Sequence, residues 1–451
     1  MLSVAEVETV TFFDELRHRE FSRLDKQHHA YLDYAGSGLY GESQLRAHHA
    51  LLREGIFGNP HSDTGPSRAS TEVIESARRT VLRFLDVDES THDVCFTANT
   101  TAAIKLVAES YPFSPESNFI LSADNHNSVN GIREYARRAG ARVRYLPLND
   151  ELRLFDAELF LCEESLRGGG LVAFPAQSNF SGVQHPLDLV MKARALGFDV
   201  LLDIAAFVPS HAFSLRQCPA DFAALSFYKL FGYPTGVGAL VARRDALSRL
   251  RRPWFAGGTV LYASVAADAH RLRPRHEAFE DGTPNFLGIA ALDAGFELLA
   301  EVGMPRLSAH VAQLTGDFLD ELRTLRHGNG SPLVRIYGPR DTTARGGAVT
   351  FNVCDRDGAP IPYSPVETRA LRAGVSLRGG CFCNPGASEA AFGLDAPRIG
   401  ACFDSLGEGF TLERFAECTN TAVGAVRASI GLANNADDIR RAVEVVASFR
   451  E

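Results

Sequence analysis

Short apolar runs closed by Gly, Asp or Pro recur along the first two thirds of the chain. DVCFTA (Asp93 to Ala98), GLVAFPA (Gly170 to Ala176), FDVLLDI (Phe198 to Ile204), DFAALSF (Asp221 to Phe227) and GALVA (Gly238 to Ala242) have the length and uniform apolarity of buried parallel strands. Helical periods lie between and around them: Ile74, Ala77, Val81, Phe84 and Leu85 return at steps of three and four on one face. Strands alternating with amphipathic helices predict an α/β fold, a large domain with a mostly parallel sheet flanked by helices. After Met304 the texture changes. A helical stripe of Val311, Leu314, Phe318, Leu322 and Leu325 leads into the strand-like GGAVTFNV (Gly346 to Val353), and the chain closes on the helical DDIRRAVEVVASF, which reads as a smaller α+β domain. The expected organisation is an N-terminal segment, 1–27, packing on the small domain, a large domain at 28–303 and a small C-terminal domain at 304–451.

With 451 residues, 45% of them hydrophobic, the chain can bury a large core. Its net charge of −9 speaks against a nucleic-acid partner or an anionic membrane surface and leaves small-molecule chemistry. The N-terminus is acidic where a signal peptide is basic, and no apolar stretch reaches bilayer length, so no membrane association and a cytoplasmic location are expected. The eight cysteines show neither a secreted-type framework nor zinc spacing; most are expected to be reduced and buried, and no metal site is expected.

One lysine stands out. In ALSFYKLFGYPTGVGALV, Lys229 follows an apolar strand and precedes a glycine-punctuated turn. A lysine there can simply snorkel to water. Asp203, however, closes the preceding strand, and adjacent parallel strands bring both side chains to one carboxyl edge. A lysine forms an imine with pyridoxal 5'-phosphate (PLP), and a carboxylate keeps the ring nitrogen protonated so that the ring accepts electrons. TANTTAAIKLVAES passes from strand to helix at Asn99, Thr100 and Thr101, an anion site for a phosphate or an ordinary N-cap. Ser226, three residues before the lysine, adds a hydroxyl.

Ten stretches resemble, in order, the class V aminotransferase family of PLP enzymes, fold type I, and most specifically the cysteine desulfurase domain of molybdenum cofactor sulfurases. They are YLDYAGSGLY, FGNPHS, FTANTTAAIKLVAE, DNHNSV, FPAQSNFSG, LLDIAAFVP, LSFYKLFGYPTGVGAL, DGTPNF, RGGCFCNPGA and VRASIG. The resemblance implies that Lys229 carries the cofactor, Asp203 pairs with the ring nitrogen and His126 stacks on the ring and assists proton transfer. It places Asn179 and Gln177 near the phenolic oxygen. It assigns Thr283 to the phosphate of a neighbouring subunit's cofactor, which implies a homodimer. Many desulfurases have glutamine and histidine where this chain has Ala206 and Tyr228, so the phosphate would meet a phenol.

RGGCFC selects among PLP reactions. In the family an Arg-x-Gly-x-x-Cys loop holds the substrate carboxylate and presents a thiol to the substrate sulfur; here it reads Arg378, Gly380, Cys383. A guanidinium suits a carboxylate clamp, and a thiolate attacking sulfur would take it as a persulfide. Cys381 is either a bystander or a resolving thiol. The expected activity is a PLP-dependent cysteine desulfurase that turns L-cysteine into L-alanine and passes sulfur to an acceptor protein. The alternatives are a PLP carbon–sulfur lyase acting on a cysteine S-conjugate and a silent sulfur-transfer partner. The further C-terminal domain of eukaryotic-type molybdenum cofactor sulfurases is not expected here, because the chain stops shortly after VRASIG.

Overall fold

The computed structural model describes the backbone of residues 4–451 and side chains from residue 11. Strands β1 (His92–Thr97), β2 (Asn118–Ser122), β3 (Arg142–Leu146), β4 (Gly170–Pro175), β5 (Phe198–Asp203), β6 (Phe222–Ser226) and β7 (Gly238–Arg243) form one sheet in the order β1-β7-β6-β5-β4-β2-β3. Its central strands are apolar throughout because both faces are covered. Val200 and Leu202 belong to one layer of core and Leu201 to the other, as the period of two requires. Helix α1 (Gly65–Phe84) turns Ile74, Ala77 and Val81 inward, and α2 (Thr100–Ser110) follows β1.

Two details depart from the sequence expectation. β7 is antiparallel to both of its neighbours, β1 and β6. Only residues 227–237 separate β6 from β7, too few for a crossover, so the chain can only fold back as an antiparallel neighbour. β3 lies at the sheet edge with four of its five residues at least partly exposed, and its alternating arginines hide it from a reading based on apolar runs.

The C-terminal body holds β8 (Val334–Tyr337), β9 (Ala348–Val353), β10 (Arg378–Gly380) and β11 (Ala425–Ser429), antiparallel in the order β8-β9-β11-β10. Helices α3 (Met304–Thr324), α4 (Pro385–Phe392) and α5 (Ala436–Ala447) accompany it. The N-terminal helix Val4–Glu20 joins this body: the Phe13 ring stacks on His310 at 3.7 Å, and Arg17 pairs with Asp438 at 2.7 Å. Residues 30–33, counted with the large domain from the sequence, also hydrogen-bond to the small one, through Gly374, Ser376 and Ser429.

Cysteine usage differs from the expectation in one place. Cys402 and Cys418 form a disulfide, while Cys95, Cys218 and Cys354 are buried thiols and Cys162 and Cys383 are exposed. The bridged pair stands sixteen positions apart and joins two short helices, Ala396–Leu406 and Leu412–Thr419. That contact is invisible in the linear spacing. Among the described residues no helix is long and apolar enough to cross a membrane.

The turn that carries Lys229 is fixed by a glycine. Helix Phe227–Phe231 ends at Gly232, with φ 77°, and a Cβ there would lie 2.4 Å from the Leu39 carbonyl carbon. Backbone cannot yield as a flexible side chain does. Gly232→Ala is therefore expected to destabilise the fold by about 3 kcal/mol, combining a positive φ with overpacking. A urea midpoint equal to that of the wild type would refute this.

Candidate active site

The carboxyl ends of β4, β5 and β6 open on one chamber. Asp203 is the last residue of β5 and pairs in register with Ala224 of β6, five residues before Lys229. Both side chains face this chamber, with Asn99, Thr100, His126, Asn179 and Tyr228 around them. Asp203 is 9% exposed; its Oδ1 accepts the Ala205 N–H at 3.0 Å, and Oδ2 has no partner among the described residues. Lys229 Nζ makes no hydrogen bond or ion pair there either. Burial lowers the Lys229 pKa, with Arg427 and Arg378 adding to the effect and Asp203 and Cys383 opposing it. An ammonium and a carboxylate at one buried edge without mutual pairing are costly unless a polar group joins them.

At the chamber's other end α2 begins. Its N-cap Asn99 accepts the Ala102 N–H, the Thr100 N–H and hydroxyl both reach Ser226 Oγ at 2.7 and 2.6 Å, and Thr101 Oγ1 meets Ser128 Oγ at 2.7 Å. Five hydroxyl or amide side chains at a positive helix terminus make an anion cradle. The Tyr228 ring lines the same chamber, and burial beside Asp203 raises its pKa. His126 is oriented by Ser128, whose backbone N–H donates to Nδ1 at 3.1 Å. Nδ1 is thus the acceptor and Nε2 carries the proton. Burial lowers the His126 pKa, Lys229 lowers it further and Asp203 partly offsets both, so the ring is neutral. Gln177 Nε2 donates to the Ala206 carbonyl at 2.8 Å. A free amine, a half-free carboxylate and a hydroxyl cradle fit pyridoxal phosphate: Lys229 for its aldehyde, Asp203 for its ring nitrogen, and Thr100, Thr101 and Ser226 for its phosphate.

The cysteine loop comes from the small domain and docks on the chamber rim. Asn179 Nδ2 donates to the Phe382 carbonyl and the Asn127 N–H to the Cys383 carbonyl, both at 2.7 Å. Phe382 and Cys383 have φ of 54° and 55°, two consecutive residues in the left-handed region that needs outside support. Cys383 is exposed, whereas Cys381 is half-buried with its pKa raised by burial.

A model of the aminotransferase class-V family matches residues 30–442. The chain belongs to that family. It is 36% identical to the molybdenum cofactor sulfurase of Arabidopsis thaliana, an alignment covering 96% of this chain and 58% of that protein. The chain spans less than three fifths of the length of such relatives. Among solved structures it resembles an apo cysteine desulfurase from Thermococcus onnurineus (TM-score 0.79, 23% identity, 96% of this chain and 97% of the other). It is also similar to a cysteine desulfurase from Escherichia coli (TM-score 0.76, 23% identity, 97% and 98%). These two likenesses show the fold.

Within this class-V member two expected site residues do not line this chain's own chamber. Thr283 is outside the chamber, receiving a hydrogen bond from Asn59 Nδ2 at 3.2 Å on an exposed surface. Arg378 is half exposed and forks onto Asp33, with Nε 3.0 Å from each carboxylate oxygen. The residue missed is Arg427. It is 2% exposed, shares Asp33 at 3.3 Å, donates to the Asn179 carbonyl at 2.7 Å and leaves Nε without a partner. Burial lowers its pKa to about 10, and Arg378 adds to the effect. The available signal was an arginine inside the otherwise uncharged strand AVRAS, since a guanidinium is not buried there for packing alone.

Proposed function

We propose that the chain is a PLP-dependent cysteine desulfurase, and the observation that carries this reading is Cys383, an exposed thiol on a strained loop pinned beside the Lys229 chamber. The sulfurase name of the 36% identical relative supports it. Bound pyridoxal phosphate supplies the electron sink that labilises the bonds at the substrate Cα and Cβ. Lys229 would hold the cofactor, and its amine would move protons. Asp203 would keep the ring nitrogen protonated, Asn179 and Gln177 would serve the phenolic oxygen, Thr100, Thr101, Ser226 and Tyr228 would bind phosphate, and His126 would serve the ring as a neutral imidazole.

Arg427 and Arg378 bind the substrate carboxylate, which competes with Asp33 for their guanidiniums. The Cys383 thiolate attacks the substrate sulfur: the S–S bond forms, the Cβ–S bond breaks with its electron pair left on carbon, and that carbon takes a proton to leave as alanine. The persulfide then passes to an acceptor protein. Thr283, remote from this chain's own chamber, acts on the chamber of a second copy in a homodimer.

Purified protein supplied with pyridoxal phosphate, L-cysteine and a thiol reductant is expected to yield alanine, with a transient persulfide mapped to the Cys383 peptide. Pyruvate in place of alanine would replace this reading with the lyase. Arg427→Lys keeps the charge and loses the fork, so KM for L-cysteine is expected to rise about tenfold with cofactor binding unchanged. An unaltered KM would return the clamp to Arg378 alone.

A further inference from the structure

Behind the cysteine loop lies a buried polar group that the proposed chemistry does not use. Asp124 stands just after β2, two residues before His126, and is 0% exposed. Its Oδ2 accepts from His185 Nε2 at 2.9 Å, and its Oδ1 accepts the Ser178 hydroxyl at 2.8 Å and Asn384 Nδ2 at 2.6 Å. His185 is itself 3% exposed, and its Nδ1 has no partner among the described residues. Two donors thus come from the large domain and the third from the residue after Cys383.

Asn384 turns that contact into loop geometry. Its Nδ2 also reaches Asn179 Oδ1 at 3.0 Å, its backbone N–H donates to the Cys381 carbonyl at 2.9 Å, and its Oδ1 caps α4 through the Ala387 N–H at 3.2 Å. The backbone of this one buried residue closes the Cys381–Asn384 turn, while its side chain starts the helix behind it and ties both to the large domain. Phe382 and Cys383 between these anchors are the two residues at positive φ. Left-handed conformations at non-glycine residues persist where surroundings over-determine them, and here, beside the Asn179 and Asn127 contacts to the Phe382 and Cys383 carbonyls, that support runs through Asn384 to Asp124. A carboxylate accepts only, so it suits three converging donors, and a side chain without an acceptor there leaves Asn384 untied.

We propose that Asp124, held by His185 and Ser178, is a positioning residue that latches Asn384 and so fixes the Cys383 thiol for attack on sulfur. This rests on the desulfurase reading for its kinetic consequence, though the latch itself is a statement about the loop. Asp124→Ala removes both acceptor oxygens. With protein loaded with pyridoxal phosphate, alanine formation from L-cysteine should fall about 100-fold, the scale of a misplaced reacting group. Turnover of L-cysteine sulfinate should stay within about twofold, because that C–S bond breaks without a thiol: carbon keeps the electron pair, takes a proton, and sulfur dioxide departs. Alkylation of Cys383 by iodoacetamide should accelerate severalfold as the loop comes free.

Asn384→Ala removes the same latch from the small-domain side and should reproduce all three results, which covers the case in which Asp124→Ala does not fold. Wild-type rates on L-cysteine in either folded variant would overturn the proposal. So would parallel loss of both substrates together with cofactor loading, which indicates a purely structural role. Failure of the wild-type protein to make alanine from L-cysteine would instead sink the desulfurase reading, while the alkylation rates still report on the latch.

Discussion

Lys229→Ala is expected to lose more than about a thousandfold of the turnover of L-cysteine, because no other amine can take its place in covalent catalysis. The chain has four lysines; Lys26 and Lys105 are exposed and Lys192 is partly exposed, all on other surfaces. Borohydride reduction of the cofactor-loaded wild type should therefore fix one pyridoxyl group on the peptide containing Lys229, and none in the variant. The protein itself should persist: the amine makes no hydrogen bond or ion pair, so its removal orphans no buried partner. The pH dependence follows from the same burial. An imine forms from the neutral amine, and burial lowers the Lys229 pKa from the ordinary value of 10.5. The rate of cofactor uptake should rise with pH and level off below that value. A reducible adduct surviving in Lys229→Ala, or uptake that keeps rising past pH 10.5, would remove Lys229 from its assigned role.

Much of this arrangement was readable along the chain, for definite reasons. Strands buried on both faces leave unbroken apolar runs, so β4 to β7 were visible, and a carboxylate closing one run with a lysine just beyond the next placed Asp203 and Lys229 on one edge. Hydroxyls at a strand-to-helix junction gave the Thr100 and Thr101 cradle. What stayed hidden depends on contacts between distant segments. Asp33 and Arg427 lie 394 positions apart and meet only because residues 30–33 join the small domain. Likewise nothing local distinguishes Asp124 from an ordinary polar residue until Asn384 arrives 260 positions later. The direction of β7 was legible in principle from the short 227–237 connection, whereas apolarity alone carries no strand direction.

The second large effect concerns the thiol. In Cys383→Ala, alanine formation from L-cysteine is expected to fall by more than about a thousandfold while cofactor loading is unchanged, since the nucleophile is lost and the chamber is untouched. Alanine tolerates φ of 55° no better and no worse than cysteine, and the contacts that set the loop are carbonyl and Asn384 contacts. The loop should thus keep its pose, which makes the substitution a clean removal of sulfur chemistry. L-cysteine sulfinate, which needs no thiol, should be consumed within about twofold of the wild-type rate. Cys381→Ala is the matched control. Burial raises the Cys381 pKa, with Ser388 opposing in part, so it remains a protonated thiol and a poor nucleophile; its loss should leave most of the L-cysteine activity. If Cys383→Ala still makes alanine from L-cysteine while Cys381→Ala does not, the attacking sulfur is Cys381. If both retain full alanine formation, neither thiol of this loop is required and the attack assigned to Cys383 fails, whereas pyruvate in place of alanine would make the carbon–sulfur lyase the better description.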